Sequence, residues 1–176
     1  MNIRDTADGD IGAVLDVQRQ AFGGEAEADL VRALLSDLTA EPVISLLAVR
    51  DHVPVGHILF THARVGDQDR PAASILAPLA VLPSVQGLGV GRALIAEGLA
   101  RCAAGGIALV LVLGDPAYYG RFDFAPAMPH DVAPPFPVAP DHQDAWMVRP
   151  SCEGVLARAR GTVRCADALM RPELWG

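Results

Sequence analysis

The spacing of hydrophobic positions changes along this chain, and each change marks an element. Residues 2–5 read as a short first strand. Ile11, Val14, Leu15, Val17, Gln18 and Phe22 then recur at helical intervals, with Thr6 or Asp8 as the cap and Gly23-Gly24 as the stop. A second helix opens near Glu25 and carries Leu30, Val31, Leu34, Leu35 and Leu38 on one face. The period falls to two over residues 45–50 and 53–65. Asp51-His52 forms the hairpin between them, and Val55, His57, Leu59, Thr61 and Ala63 alternate with Gly56, Ile58, Phe60 and His62. Residues 66–71 read as a turn into an apolar strand over 75–81. After a turn at Pro83 and Ser84, a helix runs from Arg92 to Ala104 with Ile95, Leu99 and Cys102 inward, Glu97 and Arg101 paired, and Gly105-Gly106 as its stop. Residues 107–113 are apolar without a break, as in a parallel strand covered on both faces. The order predicts an α/β (α+β) fold in which an antiparallel meander feeds a strand, crossover helix and parallel strand. Residues 117–122 have room for a turn or two of helix before a strand at Phe124. Residues 125–150 hold half of the prolines and read as a long irregular loop, with closing strands at 146–148 and over 154–164.

Between the strand at 75–81 and the helix at Arg92 lies Gln86-Gly87-Leu88-Gly89-Val90-Gly91. The first amides of a helix have no partners and converge on an anion, aided by the helix dipole. Glycines at 87, 89 and 91 remove the side chains that would hold a diphosphate away from those amides. A tight strand-to-helix turn would also use glycines. A dinucleotide loop of the G-x-G-x-x-G kind fits less well, because its third glycine position is Arg92 and about eighty residues precede it.

Gln86-x-x-Gly89-x-Gly91 after an apolar strand resembles the acetyl-CoA signature of the GNAT superfamily of acyltransferases, and PLAVLPSVQGLGVGRALI and VPVGHILFTHARV resemble a branch of small bacterial predicted N-acetyltransferases. The resemblance covers most of residues 1–125. It implies a mixed, mainly antiparallel central sheet with flanking helices and a splayed parallel pair at the cofactor site. Acetyl-CoA would be the co-substrate. Amides of Gln86, Gly87, Leu88, Gly89, Val90 and Gly91, with Arg92 beside them, would cradle its pyrophosphate, and main-chain groups of Leu79, Ala80 and Val81 would pair with the pantetheine arm. Pro78, which donates no ladder hydrogen bond, fits a strand that bulges and parts from its neighbour, and equally one that merely starts there. YYGRFDF resembles the family's closing tyrosine and Gly-Phe pair, with Tyr119 in the tyrosine position and Asp123 where glycine is usual. Aspartate tolerates positive φ better than most residues, so the turn is expected to persist.

Transfer to an amine requires a neutral nucleophile, stabilisation of the oxyanion and a proton for the departing thiolate. A backbone amide of Leu79 or Val81 would serve the oxyanion. Tyr119 is the candidate general acid, with Tyr118 as the alternative and plain aromatic packing as the bland reading. The strand before the loop has no carboxylate where many family members place a glutamate. His57, His62, Asp115 or a water chain remain open as the base. Glu25, Glu27 and Asp29 either meet the acceptor or simply favour the helix dipole. Asp123 and the missing carboxylate keep a non-catalytic acyl-CoA-binding protein as the alternative.

Composition adds exclusions. A 176-residue chain with 51% hydrophobic residues fits one domain, 1–176. No apolar run of about eighteen residues could cross a bilayer, and the N-terminus lacks a signal peptide's basic start and apolar core. Cys102, Cys152 and Cys165 are widely spaced, without a zinc pattern, and fit a reducing compartment; a cytoplasmic protein without metal is expected. Net charge is −7 and every basic residue is arginine, so there is no basic stripe for nucleic acid, while a cationic amine would be drawn weakly at long range. The partner expected is a small-molecule or peptide amine, with no nucleic acid and no membrane; the sequence does not set an oligomeric state, and a homodimer is one that is common among the proteins it resembles.

Overall fold

The computed structural model describes residues 1–176. The chain begins with β1 (Asn2–Asp5), α1 (Ile11–Phe22) and α2 (Ala26–Ser36). Next come β2 (Ile44–Arg50), β3 (Val53–Val65) and β4 (Gln68–Val81), then α3 (Val90–Ala104) and β5 (Leu109–Leu113). The closing part holds α4 (Pro116–Tyr119), β6 (Ala125–Pro126), β7 (Val132–Ala133), β8 (Trp146–Pro150) and β9 (Gly161–Cys165), linked by 3₁₀ turns. The sheet runs β1-β2-β3-β4-β5-β8-β6. Only the β4–β5 pair in this path is parallel, so the sheet is mixed and mainly antiparallel, as expected.

Alternation on β3 decides which layer sees which side chain. Leu59 and Ala63 join Val14, Leu15, Val31 and Leu34 under α1 and α2. Ile58 and Phe60 join Leu46, Val90, Leu94 and Cys102 under α3. The hairpin at Asp51-His52 has both residues at positive φ, 50° and 66°, which matches the twist of the strands it joins.

Two features open the sheet at the site. Ile58 faces Leu79 and Phe60 faces Leu76, so β4 carries an extra residue near Ala77 and Pro78, a β-bulge. The parallel pairing of β4 with β5 covers only Ala73 to Ile75 against Leu109 to Leu111. Beyond Ile75 the two strands part, and the end of β4 faces the gap.

Several expectations are corrected. The turn predicted over 66–71 is limited to Gly66-Asp67, because Val65 pairs with Gln68 and the strand runs on through Pro71, with a register shift before Ala63 pairs with Ala73. Leu35 and Leu38 are not on the buried face; they are 38% and 90% exposed. Helix α2 stops at Ser36, and the Asp37 carboxylate accepts from the Thr39 amide, which carries Leu38 out of helical phase. Helix α3 starts at Val90, before Arg92, because Gly89 takes the cap in the left-handed region. The last strand is only Gly161–Cys165; buried Val155 and Ala159 flank a 3₁₀ turn instead of alternating. The proline-rich segment contributes to the core: Val132 and Trp146 are fully buried, and the Trp146 indole donates to the Val132 carbonyl at 3.0 Å. No helix is long and apolar enough to cross a membrane.

His57 lies wholly buried beneath α1, with Gln18 Nε2 and Ser45 Oγ each 2.9 Å from its ring nitrogens. Burial pushes its pKa down to about 4, so the fold holds the neutral ring. Unfolding restores the ordinary value of about 6.5 and lets the ring take a proton. Stability from this group is therefore complete above about pH 6.5 and falls as pH drops towards 4, with about 2 kcal/mol lost by pH 5. Thermal melts between pH 7 and 5 should show this slope, and His57→Gln should flatten it; an unchanged slope in the variant would refute the assignment.

Candidate functional site: a groove along the N-terminus of α3

Local sequence explains how the loop is built. Pro83 starts a 3₁₀ turn, Gly87 and Gly89 adopt φ of 77° and 85°, and the helix follows at once. The Gln86 side chain ties the loop back to β4 by donating from Nε2 to the Val81 carbonyl at 3.1 Å. The Gln86 and Leu88 amides turn inward, to Pro83 O at 3.4 Å and Val85 O at 3.3 Å. The amides of Gly87, Gly89, Val90, Gly91 and Arg92 donate to no protein acceptor. Such a cluster of unsatisfied donors at a helix start is what an anion requires.

These groups open into a groove of about 1100 Å³ that follows α3. Of the residues singled out from sequence, Leu79, Val81, Gln86, Gly87, Gly89, Val90, Gly91 and Arg92 line it. Ala80 does not; it pairs with His57 and is buried. The Leu88 side chain projects to solvent, 60% exposed.

Helix α4 supplies the opposite wall. Asp115 caps it by accepting from the Ala117 amide at 2.8 Å. The Tyr118 hydroxyl reaches into the wedge between α3 and β4; a Cβ at Gly91 would stand 2.5 Å from it. Any larger residue at 91 would force the Tyr118 hydroxyl to move. Tyr119 does not line the groove. Its ring lies against Gly114, at the end of β5, and meets Tyr118 and Phe124 at centroid distances of 5.1 and 5.7 Å. Neither hydroxyl has a protein hydrogen-bond partner. Burial raises both pKa values, with Arg121 opposing the shift at Tyr118, and both remain protonated phenols near neutrality. Asp123 takes φ of 64°, the left-handed turn expected of it.

None of the base candidates lines the groove. His57 is held by Gln18 and Ser45, and the Asp115 carboxylate is engaged as a cap. Sequence reasoning missed Arg121, Phe122, Arg149 and Ser151, which form the far wall. Arg121 sits within YYGRFDF, and its place in that motif, beside the tyrosines, was the available signal. Arg149 is far away in sequence and reaches the site through β8, beside Val110.

Residues 2–127 match the Acetyltransferase (GNAT) domain family. The chain belongs to the GNAT acetyltransferases. Within this family it is 42% identical over 160 residues to the uncharacterized N-acetyltransferase YjhQ of Escherichia coli K12, covering 90% of this chain and 88% of that protein. The crystal structure of the GNAT family N-acetyltransferase YhbS from Escherichia coli, in complex with CoA, superposes with a TM-score of 0.87 at 31% identity, over 97% of this chain and 92% of that one. A GNAT family acetyltransferase from Brucella melitensis in complex with acetyl-CoA gives 0.75 at 28% identity, over 95% and 96%. The GNAT match thus extends in structure past residue 127, through the closing strands.

Proposed function

We propose that this GNAT acetyltransferase takes acetyl-CoA in the groove along α3 and transfers the acetyl group to a primary amine by direct attack in a ternary complex. The observation that carries the reading is the set of unpartnered amides at Gly87, Gly89, Val90, Gly91 and Arg92, opening into one groove that reaches the parted end of β4. The two relatives crystallised with CoA and acetyl-CoA support it.

The diphosphate rests on those amides. The pantetheine arm runs along the free edge of β4 at Leu79, Ala80 and Val81, and a backbone amide of Leu79 or Val81 stabilises the oxyanion. The neutral amine nitrogen adds to the thioester carbonyl to give the oxyanion and releases its extra proton to solvent water. As the oxyanion collapses the C–S bond breaks, Tyr119 gives its proton to the departing thiolate, and the tyrosinate regains a proton from solvent. The Tyr119 ring stands at the end of β5, beside the gap into which the thioester would enter.

Calorimetric titration with acetyl-CoA, followed by thiol release on a panel of primary amines, tests the proposal. Saturable binding with amine-dependent thiol release is expected. Absence of binding would refute the site, and binding with no turnover on any amine would leave only an acyl-CoA-binding protein.

A further inference from the structure

The glycine loop occupies one end of the groove. From Gly89 the channel continues along the exposed flank of α3 past Ala96, Ala100 and Ala103, a rise of about 20 Å at 1.5 Å per residue. The wall facing that flank carries Arg121 and Arg149. In a chain of net charge −7, Arg4, Arg19, Arg32, Arg101 and Arg164 pair with carboxylates at 2.6 to 3.0 Å, whereas Arg70, Arg92, Arg158 and Arg160 have none within 4.0 Å. What sets Arg121 and Arg149 apart is that they line the groove and are held there by the main chain. Arg121 and Arg149 have no carboxylate within 4.0 Å, although Asp123 shares their wall.

Both guanidiniums are nevertheless held. Arg149 Nε donates to the Phe122 carbonyl at 2.9 Å, and the side chain is half-buried. Arg121 Nε donates to the Tyr118 carbonyl at 3.3 Å, and its Cζ lies 4.7 Å from the Tyr118 ring centroid. In each case Nε fixes the plane and the two terminal nitrogens have no protein acceptor. A guanidinium fixed in this way presents a fork matched to the oxygens of a phosphate.

We propose that Arg121 and Arg149 form a second phosphate subsite, which holds the 3′-phosphomonoester on the ribose of coenzyme A. The proposal rests on the acyl-CoA reading of the groove and adds a recognition element to it. The diphosphate is accounted for by the loop amides; the 3′-phosphate is the remaining dianion of the ligand, and these are the two free cations on the wall opposite α3.

Titration of the full-length protein with CoA and with 3′-dephospho-CoA, at one fixed ionic strength, tests it. The dephospho compound should bind about tenfold more weakly, the loss expected for a charge-assisted pair. In Arg121→Met/Arg149→Met that ratio should fall to about one through weaker CoA binding. Arg149 also supports the Phe122 loop, so Arg121→Met alone is the second variant; it should lower the ratio about threefold without moving the thermal midpoint. Equal binding of both compounds by the unaltered protein, or an undiminished ratio in the double variant, overturns the subsite while leaving the acyl-CoA site standing. Failure of the unaltered protein to bind CoA overturns both.

Discussion

Gly89→Ile is expected to weaken acetyl-CoA binding at least about 100-fold, or about 2.7 kcal/mol, while the protein remains folded. Two effects act together. Gly89 has φ of 85°, where a β-branched residue is strained, so the cap and the amides beyond it would rotate away from convergence. The added side chain would also stand where the diphosphate must approach the amides of Val90 and Gly91. A Cβ at Gly89 meets no protein atom within 4 Å, so the substitution does not disturb packing and the stability loss is limited to backbone strain of about 1 to 2 kcal/mol. For a chain of this length that lowers the thermal midpoint by only about 2 to 8 °C. Gly89→Asn separates the two effects, because asparagine tolerates the left-handed region: its midpoint should stay near that of the unaltered protein, while binding falls by less than in the isoleucine variant. Calorimetry and a thermal melt on the same samples decide. Unaltered affinity in a folded Gly89→Ile protein would show that the ligand does not rest on these amides.

How much of this could be read from the chain depends on how local each determinant is. The strand at 53–65, the Asp51-His52 hairpin and the stop at Gly105-Gly106 follow from alternation and turn chemistry within a few residues, and the structure reproduces them. The glycine loop was legible for the same reason: its strand, glycines and helix are contiguous. What was not legible depends on distant partners. Helical periodicity placed Leu38 with Leu34, but a side-chain bond from Thr39 to Asp37, itself fastened to the Ala168 amide, ends the helix first. Alternation stopped the fourth strand's start at a turn, whereas pairing with Val65 carries it out to Gln68. Arg149 enters the groove only because β8 lies antiparallel to β5, a pairing across a proline-rich segment that no local pattern specifies. The choice between Tyr118 and Tyr119 is of the same kind, since adjacent residues on one helical turn point to different walls.

That choice leads to the second large effect. Tyr119→Phe is expected to lower kcat at least about 100-fold with acetyl-CoA affinity unchanged, because a positioned general acid contributes about 10² to 10⁴. The ring makes its contacts with Gly114, Tyr118 and Phe124 through carbon, and the hydroxyl has no protein partner, so removing the oxygen leaves the packing intact. Tyr118→Phe should behave in the opposite way. Its hydroxyl stands over Gly91 beside the loop amides, so its loss should weaken acetyl-CoA binding by a few fold and leave kcat within about threefold. The pH dependence supplies a further check. Burial raises the Tyr119 pKa above that of a free phenol, so the acid stays protonated and the rate should show no loss from its ionisation up to about pH 10. An alkaline limb near pH 8 that persists in Tyr119→Phe would belong to another group. If Tyr118→Phe abolishes turnover and Tyr119→Phe does not, the proton comes from the groove wall beside Gly91, and the acid assignment moves by one residue.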